Sequence, residues 1–135
     1  MLGQKTILLL LFVGTGLSAL MAQTQGDMNE VAEDAFRAAD KELNATYQKI
    51  LREYSDDEVF LESLREAQRC WVAFRDAQLK MKYPDREPGH YGSIQPMCEA
   101  EYLAELTQER NQALQLWLDG VEEGNLCAGS VRTKQ

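Results

Sequence analysis

The chain has 135 residues, 44% hydrophobic and 27% charged, a composition that suits one folded domain and excludes a fully disordered chain. Fourteen Lys and Arg stand against 22 Asp and Glu, a formal charge of −8. Such an acidic chain has no general affinity for a phosphate backbone, which argues against nucleic acid and for a basic protein partner. One His and three widely separated Cys exclude a zinc site of the usual Cys/His spacing.

Residues 1–22 have the layout of a secretory signal peptide. Lys5 gives a positive start, residues 7–13 are an unbroken apolar run, and small residues lead to Ala22 before the sequence turns polar at Gln23. Gly14, Thr15, Gly16 and Ser18 interrupt the apolar stretch too early for a spanning helix of about 20 residues. Cleavage after Ala22 would leave residues 23–135 as a single domain. Loss of Lys5 and of no acid takes its charge to −9. The expected location is the periplasm or the cell exterior.

The remainder reads as three helices. The first is expected over residues 28–54. Met28, Val31, Ala35, Phe36, Ala39, Leu43, Tyr47, Ile50, Leu51 and Tyr54 form a stripe in steps of three and four, with Asp27 as a candidate cap. Ser55 to Glu58 reads as a capping box that starts a second helix running to about Lys82. Its expected buried stripe is Phe60, Leu64, Ala67, Trp71, Phe74, Ala77 and Met81.

Residues 83–95 contain Pro84, Pro88, Gly89 and Gly92 and read as a loop. Pro96 marks a helix start, with Ser93 or Gln95 near the cap. The third helix is expected to bury Leu103, Leu106, Ala113, Leu114 and Trp117 and to stop at Gly120. A tail over residues 121–135 follows. The expected fold class is all-α, a small antiparallel bundle of three main helices with a C-terminal tail.

Polar groups interrupt these stripes. Asn44 and Tyr47 on the first helix, Gln68, Trp71 and Arg75 on the second, and Thr107 and Arg110 on the third are spaced to share faces. One reading is a structural network fixing helix register, since buried polar groups need partners. The other is a recognition surface built around Arg75 and Arg110.

The remaining motifs carry no chemistry of their own. His90 is alone in the loop, Asp56, Asp57 and Glu58 are accounted for by capping, and Glu99, Glu101, Glu105 and Glu109 fit a solvated helix face. Asn44-Ala45-Thr46 matches a glycosylation sequon but falls inside a helix. No nucleophile, phosphate loop or metal cluster is evident, so no enzyme activity, cofactor or metal is expected.

Four segments resemble the lysozyme inhibitor LprI-like family. Residues 39–47 (ADKELNATY) are similar to its opening motif and residues 67–77 (AQRCWVAFRDA) to its centre. Residues 92–97 (GSIQPM) match its loop, and Leu106, Thr107, Arg110 and Leu114 its close. The resemblance implies an exported bacterial helical domain, and for some members inhibition of lysozyme. A rival class is a non-inhibitory envelope module. If a basic lysozyme is the partner, an exposed cation such as Arg86 could enter its cleft and pair with the two carboxylates there.

The cysteines depart from the family pattern. Its usual cysteine positions hold Val31, Leu79 and Tyr102 here, so its cross-link between the second and third helices cannot be carried over. Cys98 and Cys127 lie at opposite ends of the third helix, about 30 Å apart if the tail does not fold back. Two readings stay open: a Cys70–Cys127 bridge, which needs the tail to turn at Gly120, or a buried, unbridged Cys70.

Overall fold

The computed structural model describes residues 13–134, with side chains from residue 24 onward. It contains three helices: α1 (Val13–Glu53), α2 (Glu58–Lys82) and α3 (Gln95–Asp119). The signal segment expected over residues 1–22 lies partly outside the described residues. Its last ten residues form the first turns of α1, which passes through positions 22 and 23 without a break. Asp27 therefore lies inside a helix and does not cap one. Among the described residues no helix is long and apolar enough to cross a membrane.

The chain runs up, down and up, so α1 and α3 are parallel and α2 is antiparallel to both. Tyr54 at the end of α1 donates its hydroxyl to the Trp117 carbonyl at the end of α3, 3.0 Å away. Further back along both helices, Gln115 donates to Thr46 at 2.9 Å. The α1–α3 pair is much the most intimate contact in the fold, and α2 lies more lightly on it. Small side chains make that closeness available. The seam is built from Ala32, Ala39, Leu43, Thr46 and Ile50 of α1 against Ala100, Ala104, Thr107 and Leu114 of α3, all buried. With few large side chains between them, two helices approach toward the short end of the usual 8–10 Å spacing.

Larger residues collect where the three helices converge. Leu43, Ile50, Tyr54, Phe60, Leu61, Leu64 and Leu114 form one buried cluster, with Tyr47, Leu51, Trp71, Trp117 and Leu118 packed against it. Tyr54 and Phe60 meet at 4.7 Å between ring centroids, Phe60 and Trp117 at 6.2 Å. These contacts tie the start of α2 to the ends of the other two helices.

The helix starts differ from the expected caps. Residues 54–57 turn, with Asp57 N–H bonded to the Tyr54 carbonyl at 2.9 Å. Asp57, not Ser55, caps α2, and its carboxylate accepts from the Phe60 N–H at 3.1 Å. Glu58 reaches forward to Arg65, 2.7 Å away, instead of back to a cap. Ile94 is the cap residue of α3 and supplies no side-chain bond, while Pro96 sits in its first turn as expected.

Gly120 ends α3 at φ 72°, and a Cβ there would meet the Arg132 carbonyl oxygen at 2.8 Å. Only glycine allows the tail to return this closely. The tail pairs Val121 with Thr133 and buries Val131. Arg132 stacks over Tyr54 at 4.2 Å and bonds the Glu53 carbonyl and Asp56. The Arg132 guanidinium holds the Asp56 carboxyl below its ordinary range, and Lys134 does the same to Glu122.

The largest departure from the sequence expectation is the rotation of α2. Phe60, Leu61 and Leu64 are buried, but Ala67 and Ala77 are exposed, Phe74 is 54% exposed and Met81 70%. The inward line from Leu64 onward is Gln68, Trp71, Arg75 and Leu79, all half-buried. A strict seven-residue spacing drifts about 20° per heptad on a straight helix. A stripe that is inside at Phe60 has therefore turned about 60° outward by Met81. On α1, Met28, Val31 and Ala35 are likewise exposed, with Ala32 facing in; on α3, Ala113 is exposed and Ala100 and Ala104 are inside.

Opposite outcomes are expected for two apolar truncations on α2. Leu64→Ala should cost about 2–5 kcal/mol as a buried Leu truncation. Phe74→Ala should stay within about 0.5 kcal/mol, as for surface positions. Thermal or urea unfolding of both variants distinguishes this rotation of α2 from one that buries Phe74.

Candidate functional site

The rotation of α2 brings Gln68, Trp71 and Arg75 to the side facing the α1–α3 pair. Gln68 accepts from the Arg110 Nε of α3 at 3.1 Å, the direct side-chain bond between these helices. Arg110 also lies 6.0 Å from the Trp71 ring centre, and burial pushes its guanidinium below the usual value. Arg75 approaches the same ring at 5.4 Å, so Trp71 is flanked by two guanidinium groups. Cation–π contacts of this kind strengthen as water is excluded.

Arg75 also bridges to α1. It lies 5.7 Å from the Phe36 ring centre and 3.8 Å from Asp40, and it bonds its neighbour Asp76 at 2.9–3.0 Å. Its side chain is only 15% exposed. Phe36, Arg37, Asp40, Lys41, Asn44 and Arg75 line an open groove between α1 and α2. Arg37 is held by Glu33 and Asp34 on its own helix.

The structure thus brings together Gln68, Trp71, Arg75 and Arg110 of the seven polar positions singled out in the sequence. Asn44 bonds Asp40 one turn away on the surface, at 3.0 Å. Thr107 is fully buried, and its hydroxyl donates to the Leu103 carbonyl of its own helix at 2.7 Å. Tyr47 packs against the apolar cluster.

Sequence reasoning missed Phe36 and Asp40 as partners of Arg75, and the Thr46–Gln115 bond. The i, i+4 spacing of Phe36 and Asp40 was a usable signal for the first two. It also missed Asn111, whose buried Oδ1 has no hydrogen-bond partner. An unpaired buried acceptor costs about 1–3 kcal/mol.

The cysteines are all free. The bridge expected between Cys70 and Cys127 is not formed, and Cys70 is exposed, not buried. Its thiol is directed at Glu66, 3.5 Å away. The tail does turn back at Gly120, but it runs onto Tyr54 and Asp56 at the α2 start. Cys70 lies thirteen residues further along α2, about 20 Å away.

Arg86 sits exposed on the α2–α3 loop, in an open groove with Asp85, Glu87, Pro88 and His90. It makes no ion pair among the described residues. The loop is braced at its base: Tyr91 donates to the Pro84 carbonyl at 2.8 Å and meets Tyr83 edge to face at 5.5 Å. Lys82 covers the Tyr102 ring at 3.8 Å. No group of His, Cys, Asp and Glu among the described residues could hold a metal ion.

A small acidic three-helix domain with a cation-flanked tryptophan between its helices is the class that fold and site define. The family described as Lysozyme inhibitor LprI matches residues 18–114, and the chain belongs to it. An uncharacterised protein of Rhizobium meliloti (strain 1021) is 35% identical over 112 residues, covering 75% of this chain and 78% of its own. No solved structure matches. The family match ends at residue 114, so the clasp of residues 121–134 lies beyond it.

As scaffold, the cluster should show itself in stability. Arg110→Ala leaves the Gln68 oxygen unpaired and should cost about 1–3 kcal/mol. Arg75→Ala, through lost stacking and packing of its stem, should cost about 1–2 kcal/mol. Each kcal/mol should lower Tm by roughly 4–8 °C. Partner binding by the folded fraction should be unchanged. Melting and binding measured on the same samples check this, and lost binding at unchanged Tm would make the cluster a contact surface.

Proposed function

We propose that this protein is exported and binds a lysozyme-type muramidase as a stoichiometric inhibitor. The observation that carries the reading is the LprI family match across residues 18–114. In this reading residues 1–22 direct export and are removed, and the domain works in the periplasm or outside the cell. The net charge supports it, because an acidic domain is steered toward a basic enzyme by long-range attraction.

Glycosidases of this kind cut between two carboxylates. A cation delivered into that cleft pairs with them through charge-assisted hydrogen bonds. Arg86 suits the role: it is exposed, has no ion pair among the described residues, and stands on a loop braced by Tyr83 and Tyr91. Bracing reduces the ordering cost of binding. Arg75 and Arg110 are already engaged between helices and do not suit it.

The test uses protein collected from the envelope, whose intact mass should begin at Gln23. Titrated into a basic muramidase acting on cell walls, it should abolish activity near one equivalent. Arg86→Ala should raise the concentration needed by on the order of tenfold or more, as for a central contact. Activity unchanged at large excess would contradict the reading and favour a non-inhibitory envelope module.

A further inference from the structure

The outward face of α2 carries more apolar surface than a solvated helix needs. Ala67, Cys70, Ala73, Phe74, Ala77 and Met81 share one side of it and are all exposed. Val59, 79% exposed, continues the same side toward the helix start. None of these faces α1 or α3. Grouped exposed apolar residues on a small protein mark a contact surface.

We propose that this face pairs with the same face of a second copy, the two α2 helices running antiparallel about a twofold axis at Ala73. The pattern of the face is self-complementary. Ala73 is a small residue midway along the face, on the edge it shares with Glu66 and Lys80, so the helices can approach there. Glu66 and Lys80 each lie seven residues from Ala73, one on either side, on the same edge of the face. An antiparallel twofold axis sets Glu66 of each copy level with Lys80 of the other and makes two ion pairs.

Lys80 is exposed and has no ion pair among the described residues, so its charge is available. Glu66 bonds Arg69 through one oxygen and takes the long 3.5 Å contact of the Cys70 thiol on the other, which keeps a second lone pair for a cation. In this register Phe74 of one copy lies about 3 Å along the axis from Cys70 and from Phe74 of the other. Met81 falls within a similar offset of Ser63 and Ala67 of the other copy. Phe74 thus meets Cys70 and its own counterpart at the centre, and Met81 meets Ser63 and Ala67 further out, so that knobs fall beside holes as in paired helices.

A parallel pairing would set Glu66 against Glu66 and Lys80 against Lys80, which repels. A twofold contact also closes on itself, so it yields a dimer and not a filament. A one-helix seam is small beside a standard interface of about 1,600 Å². The dimer should therefore be reversible, with dissociation in the micromolar range.

Sedimentation equilibrium of the purified, reduced protein from about 1 to 500 μM brackets that micromolar range and tests the pairing. The expected result is a monomer–dimer equilibrium. Phe74→Glu should be monomeric throughout, with Tm close to that of the parent because Phe74 is outside the core. Glu66→Lys and Lys80→Glu should each weaken dimerisation by on the order of tenfold. The double exchange should restore it. Both charge positions are exposed, so the pair of single variants keeps the test valid if Phe74→Glu does not fold. A monomer at every concentration, a dimer that survives Phe74→Glu, or a double exchange that restores nothing would overturn the proposal.

Discussion

The close parallel packing of α1 against α3 is the constraint on which the rest of the molecule depends. Ala32, Ala39, Ala100 and Ala104 keep part of the seam thin, Leu43, Ile50 and Leu114 fill the rest, and Thr46 and Thr107 carry hydroxyls into it where both are satisfied. Parallel neighbours need a long return, and α2 with its two connections is that return. Its place is therefore set from both ends: by the tight turn at residues 54–57, and by the loop that brings the chain back to Gln95.

Two helices this close leave α2 only a shallow surface to rest on. At its start the aromatic cluster of Tyr54, Phe60 and Trp117 supplies apolar contact. Further along, the surface presents Phe36, Asp40 and Arg110, a mixture of ring and charge. Trp71 between two guanidinium groups satisfies that mixture better than Phe74 or Met81 could. The arginines bury their stems and ring-facing planes while keeping charge toward water or a carboxylate. The apolar line of α2 is left outside as a consequence.

The number and order of the helices were legible in the sequence, because steps of three and four survive at Leu43, Ile50, Tyr54, Phe60, Leu64 and Leu114; the start of α1 was not, since the helix already runs from Val13 and passes through the expected cap at Asp27. The stop at Gly120 was legible too; the path of the tail back onto Tyr54 was not, since it rests on the close backbone approach at Gly120 and on Arg132, which spacing does not reveal. The rotation of α2 was not. Its apolar stripe and its polar line share Leu64 and Trp71, and only the shape and charge of the opposing surface choose between them. The α2 cap moved from Ser55 to Asp57 because the turn from Tyr54 uses Ser55. Gln68, Trp71, Arg75 and Arg110 could be grouped by spacing, whereas the partners of Asn44 and Thr107 are local bonds within their own helices, which spacing across helices does not reveal.

Arg75 and Arg110 brace the bundle, while the loop bearing Arg86 and the outer face of α2 remain free to meet other molecules. That division of roles rests on which way α2 faces. The most direct measurement is the reactivity of the cysteines in the folded, reduced protein, diluted well below micromolar concentration and read by mass spectrometry after a short pulse of a thiol reagent. Cys70 and Cys127, both exposed, should be modified at rates near those of the denatured chain, and half-buried Cys98 more slowly. A protected Cys70 beside a reactive Cys98 would mean that α2 buries the opposite face, and would contradict the account.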